Sequence, residues 1–277
     1  MSEKKTRSHH IMDNHPFIGT VLGTLILVPL FIAISSGASM LLGTALKNEP
    51  VCTGTSILVS YFVCSLIFAW WFKGETSGLI FGGSITSSFI VGVMLVVYWV
   101  LSLAQGYIFA GETVAAPTIE NIATSVSAGF FEEPLCRGFF IMLFLRNKRT
   151  PGKIIGSLIF TTIVFALLHV SNLTTGAELI PTVVQVINSI GTGLIFGLLF
   201  VRSGNLLPAS IMHMAHDIIA LSTAGKLDNI PTYGGLGINV IINMVMCFIL
   251  GVIGFIYITR RSVMEETISV WDTKWKS

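Results

Sequence analysis

The chain has 277 residues, 53% of them hydrophobic and only 11% charged, with a net charge of +2 and a mean hydropathy of +0.82. A soluble domain usually carries about a quarter charged residues, so composition excludes an ordinary water-soluble globule. No basic face exists outside short loops, which argues against a nucleic-acid partner.

Apolar windows of about 20 residues, enough to cross a ~30 Å hydrocarbon core, recur along the chain. They fall at about 16–42, 52–72, 79–104, 118–145, 152–170, 180–201, 206–224 and 236–259. The first lacks a small-residue cleavage site after a short apolar stretch, so it is expected to be retained as a span. With a cytoplasmic N-terminus, thirteen of the sixteen Lys and Arg fall on the inner side, and Lys47 and Lys226 fall outside. The remaining one, Arg137, lies within a span. That positive-inside bias predicts an all-α polytopic membrane protein: about eight transmembrane helices, both termini cytoplasmic, one integral domain over 1–277. Cys52, Cys64, Cys136 and Cys247 each fall in an apolar span with no CxxC pair. They read as small buried hydrophobes, not a disulfide scaffold or a cysteine zinc site.

Ionisable residues inside spans are costly and mark functional interiors. Here they cluster. The fourth window contains "GFFEEPLCRGFF", with Glu133 and Arg137 four apart on one helix face and able to pair. A purely structural neutral pair would have the same spacing. Glu132 points about 100° away, so Arg137 cannot readily neutralise both carboxylates. A carboxylate short of counter-charge in a low-dielectric site suits general-base work. Pro134 should leave the Phe130 carbonyl unpaired and kink the helix, making room for water. The fifth window ends "FALLHV", with Phe165 one turn before His169. Alone, a histidine there would read as an interface residue. The seventh holds "SIMHMAHD", whose His213, His216 and Asp217 share one face. Counting ~1.5 Å per residue from the inner helix ends puts Glu132 about 20 Å deep, His169 about 24 Å and His213 about 10 Å. Those heights converge only if helices tilt, kink or start off-level.

The ordered motifs EExxxR, FxxxH and HxxxD, with "VRSGNLLPASIMH" before the third, resemble the CAAX-protease and bacteriocin-processing (Abi-type) family of intramembrane endopeptidases. The resemblance covers a catalytic core of about residues 118–220. It implies that Glu132 activates a water with help from His169, and that Glu133 and Arg137 hold the first glutamate and the substrate. It further implies that His213 and residue 217 stabilise the oxyanion. The prenyl endopeptidase of this family has asparagine where this chain has Asp217; an ionised carboxylate would repel an oxyanion, so Asp217 is expected either to be protonated or, on the preferred reading, to orient His213. No cofactor is required on this reading. The metallo alternative would draw zinc ligands from Glu132, His169, His213 and His216. The substrates implied are membrane-associated peptides or proteins, such as bacteriocin or pheromone precursors or prenylated ends. The short loops point to a bacterial plasma membrane. A transporter with a buried proton relay, or a scaffold packed through Gly19-xxx-Gly23 and Gly193-xxx-Gly197, remains the alternative.

Overall fold

The computed structural model describes residues 15–46, 49–71, 83–145, 148–224, 232–233 and 236–274. Several basic residues that set the orientation, among them Lys4, Lys5, Arg7, Lys73, Arg146 and Lys226, lie outside the described residues, as does the side chain of Cys64.

Helices occupy every apolar window. They are α1 (Pro16–Gly43), α2 (Glu49–Trp71), α3 (Phe89–Ala110), α4 (Ile119–Ser127), α5 (Phe140–Leu145), α6 (Pro151–Leu168), α7 (Leu179–Ser203), α8 (Leu206–Leu221), α9 (Ile238–Thr259) and a polar helix α10 (Arg261–Lys274). Among the described residues, five helices are long and apolar enough to cross a membrane: 16–43, 85–110, 151–174, 179–203 and 238–259. The protein is therefore an all-α integral membrane protein. The fourth window divides among α4, two π-helical stretches and α5, and α8 is a short apolar helix.

The third helix is displaced from its window of 79–104. It begins with a single 3-10 turn, Ile85–Ser88, and ends at Ala110. Gly111, at φ 61°, provides the left-handed residue that stops it. Two short antiparallel ribbons complete the fold. β1 (Thr113–Val114) pairs with β2 (Thr223–Ala224), and β3 (Thr232–Tyr233) pairs with β4 (Leu236–Gly237). β1 and β2 join the loops that follow α3 and α8, so those two helices end on the same side of the bundle.

The core lies around α5, whose side chains from Phe140 to Leu145 are all buried. It shares one buried cluster with Leu158 of α6 and with Phe196 and Phe200 of α7. In a bilayer this burial gains little over lipid contact, so close packing must hold the helices together. Small residues allow it. A Cβ at Gly197 would sit 2.9 Å from Leu158, and one at Gly23 would sit 2.6 Å from Phe139. Outward-facing side chains such as Leu25, Val97 and Phe248 are exposed, as a lipid-facing surface requires.

At the end carrying α10, Arg202 is 2% exposed, and each of its guanidinium nitrogens has a partner. Its Nε donates to the Ser87 carbonyl at 3.1 Å, and Nη1 to the Val263 carbonyl and Thr267 Oγ1 at 3.0 and 2.8 Å. Nη2 donates to Glu266 Oε2 at 2.7 Å. Trp271 Nε1 donates to the Val201 carbonyl at 2.7 Å, fastening α10 beneath α7.

Candidate active site

The chain between α4 and α5 does not form a regular helix. Residues Ala128–Glu132 and Pro134–Phe139 are π-helical, and the Phe140 N–H reaches the Leu135 carbonyl, five residues back. The break expected at Pro134 thus takes the form of widened turns on both sides of Glu133. Phe130 is not left without an interaction. π-Turns concentrate at functional sites because they re-aim side chains without ending a helix.

The two adjacent glutamates part company here. Glu133 is fully buried and its Oε1 lies 2.8 Å from Arg137 Nη1. The same oxygen accepts from His213 Nδ1 at 2.8 Å. An ionised carboxylate only accepts, so Nδ1 carries the proton. Arg137 is likewise fully buried; its Nη2 donates to the Gly193 carbonyl at 3.1 Å, and its guanidinium lies 3.9 Å from the Phe165 ring centroid. A Cβ at Gly193 would stand 3.2 Å from Arg137 Nη2 and 2.9 Å from Phe165, so glycine there makes room for the cation.

Glu132 is half-buried and faces a cavity of about 990 Å³. His169, His213, His216 and Asp217 line the same cavity, while Glu133 and Arg137 lie behind its wall. Glu112, Glu178, Leu221, Thr223 and Leu236 also line it, which carries the cavity to the loops at the end of the bundle opposite α10.

Each histidine is fixed by a different partner. His169 Nδ1 donates to the Phe165 carbonyl at 3.0 Å, which leaves Nε2 of the neutral ring as an acceptor. Phe165 packs edge-on against both His169 and His213 at 5.0 and 5.7 Å between centroids. Phe196 stacks on His213 at 4.5 Å. His216 Nδ1 accepts from Trp99 Nε1 at 3.0 Å, so neutral His216 carries its proton on Nε2. Asp217 Oδ1 stands 3.7 Å from His213 Nε2, beyond hydrogen-bond distance. The carboxylate bonded to His213 is Glu133.

Trp99 and Phe196 were not singled out by sequence. Trp99 sits in an ordinary apolar window, and only a tertiary contact marks it. For Phe196 the neighbouring glycines Gly193 and Gly197 were visible, but not what they admit. Among the described residues, no three His, Cys, Asp or Glu side chains gather as a metal shell. Glu132, His169, His213 and His216 are thus not gathered into a ligand shell in this structure.

Residues 114–219 match the family described as Rce1-like, type II CAAX prenyl endopeptidase Rce1-like. No curated protein matches the chain, and no solved structure does.

Proposed function

Residues 114–219 match the type II CAAX prenyl endopeptidase family, and we propose that the chain is an intramembrane endopeptidase of that kind with Glu132 as its general base. The reading is carried by one observation: Glu132, His169 and His213 line a single cavity while Glu133 and Arg137 close it from behind. Glu132 takes a proton from a water as that water's oxygen bonds to the scissile carbonyl carbon. His169, with Nε2 open, holds the water through its remaining hydrogen. The carbonyl becomes an oxyanion, and His213, fixed at Nδ1 by Glu133, donates from a protonated Nε2 to that oxygen. Collapse breaks the C–N bond, and the proton on Glu132 passes to the leaving amine. Arg137 and His213 share the Glu133 carboxylate, so with His213 protonated the three groups together present one positive charge to the oxyanion. The residues suffice without a metal.

We place the protein in a bacterial plasma membrane, acting on membrane-associated peptides or proteins. The test is to incubate the purified protein with a membrane proteome and sequence the new termini. Wild type should generate termini that Glu132→Gln and His169→Ala each reduce by about 10²–10⁴-fold, with the double variant little worse than either single. Undiminished processing by Glu132→Gln would overturn the assignment of the base.

A further inference from the structure

The far end of the cavity carries a second polar group that the hydrolytic step does not use. After α3 stops at Ala110, Glu112 folds its carboxylate back over the helix, against Gly106; a Cβ at Gly106 would collide with Glu112 Oε2. Asn239, in the first turn of α9, donates from Nδ2 to Glu112 Oε1 at 2.7 Å. Glu112 thereby settles which way the amide points, because a carboxylate accepts only, so nitrogen must face it. The Asn239 Oδ1 is the atom left over. Asn239 is 8% exposed, and its Oδ1 is buried without a hydrogen-bond partner. Gln105, beside Gly106, also has a buried Oε1 without a partner. All three residues line the cavity.

A buried acceptor lacking a donor is an uncompensated cost; here one belongs to the amide bonded to the Glu112 carboxylate and a second lines the same cavity. The wider lining has the same bias. Glu112, Glu132, Glu178 and Asp217 contribute carboxylates, while no Lys or Arg is among the described lining residues. An ammonium supplies three donors and a positive charge, which matches one carboxylate and two orphaned carbonyl oxygens.

We propose that Glu112, Asn239 and Gln105 form a subsite for the side-chain cation of a basic residue in the substrate peptide. This rests on the endopeptidase reading and adds a substrate class to it: peptides carrying lysine or arginine at a fixed distance from the scissile bond. Glu112 supplies charge, Asn239 holds Glu112 in place and offers Oδ1, and Gly106 keeps the carboxylate against α3.

The experiment measures binding as well as cleavage. Full-length protein in phosphatidylglycerol nanodiscs is titrated with a fluorescein-labelled apolar peptide bearing one central lysine, and with its norleucine twin. The lysine peptide should bind at least about tenfold more tightly, and Glu112→Gln, which still accepts from Asn239 and should keep the thermal transition, should reduce that preference to about twofold or less. Glu112→Lys should favour a glutamate peptide instead. Equal affinity for the lysine and norleucine peptides would overturn the subsite, whether or not either is cleaved. Lysine preference with no cleavage of any peptide would keep the subsite and overturn the endopeptidase reading. An ethanolamine headgroup offers the same ammonium. If phosphatidylethanolamine nanodiscs erase the lysine preference, the occupant is lipid and the assignment to substrate fails.

Discussion

Arg137 and Arg202 are both withdrawn from solvent, at 0% and 2% exposed, yet their neighbours treat them differently. Around Arg202 each guanidinium nitrogen donates a hydrogen bond, to Ser87, Val263, Thr267 or Glu266. Around Arg137 only Nη2 does, to the Gly193 carbonyl. Its Nη1 meets Glu133 as an ion pair at 2.8 Å without hydrogen-bond alignment, and its Nε has no partner. Glu133 Oε2 is also unpartnered. A cation that only fastens helices can saturate its donors, as buried polar groups normally do. The pair behind the cavity is left with unused capacity, and Phe165 supplies part of the stabilisation through its ring face.

The sharpest way to break this contrast is Arg137→Met. It removes the arginine from the buried Glu133 carboxylate, and should destabilise the protein by about 3–5 kcal/mol. Denaturant unfolding in detergent measures this, and adding Glu133→Gln should recover part of the loss. If Arg137→Met costs less than about 1 kcal/mol, Arg137 is not the counter-charge that the buried Glu133 carboxylate depends on. Arg202→Met should cost less, about 2 kcal/mol, because Glu266 is half-exposed and returns to water while the Ser87 and Val263 carbonyls lose their donor. Peptidase activity of the surviving fold should be unchanged, since α10 lies at the end away from the cavity.

A smaller effect separates the two carboxylates beside His213. Asp217→Asn should keep activity within about tenfold, roughly 1.4 kcal/mol, whereas Glu133→Gln should lose about 10–100-fold. A collapse in Asp217→Asn that added zinc reverses, together with chelator sensitivity of the wild type, would show that a metal is at work.

The smallest expected effect belongs to Glu266. The hydrogen bond from Arg202, and then that from Ser87, holds its carboxyl below the usual carboxylate range. A depressed folded value means the contribution is complete above the ordinary carboxylate range and disappears as pH falls through the folded value. Solvent exposure limits it to about 0.5 kcal/mol. The stability difference between wild type and Glu266→Gln should therefore be constant near neutrality and vanish on acidification. A difference that grows in acid would contradict the pairing.

Local spacing made much of this molecule readable, and what it missed lies mainly in contacts between elements. Apolar windows located the helices because each must hide its backbone from lipid. The third was misplaced because hydropathy averages over a window, while a single residue, Gly111, stops the helix. The separation of Glu132 from Glu133 was visible as a rotation around one helix. The i,i+4 rule also paired His213 with Asp217, since both lie on α8. It had no means of seeing Glu133, which reaches His213 from another element at 2.8 Å. The same limit hid the Trp99 hydrogen bond to His216. The π-turns were invisible because Pro134 announces a disruption but not how the backbone absorbs it.

The cavity also has an electrical consequence. If water fills it from the loop end to Glu132, the membrane voltage does not fall evenly along the helices. Most of the drop is confined to the dry layer behind Glu133, where Phe140 to Leu145 of α5 are buried. A charge moving across a full membrane responds by ~2.3 kcal/mol per 100 mV, but a substrate cation held at Glu112 feels almost none of it. Hydrolysis at this site should proceed at the same rate in energised and de-energised vesicles. The insulating layer of α5 is then as necessary to the cell as the carboxylate in front of it, because a membrane protein that holds a water-filled cavity must still not conduct.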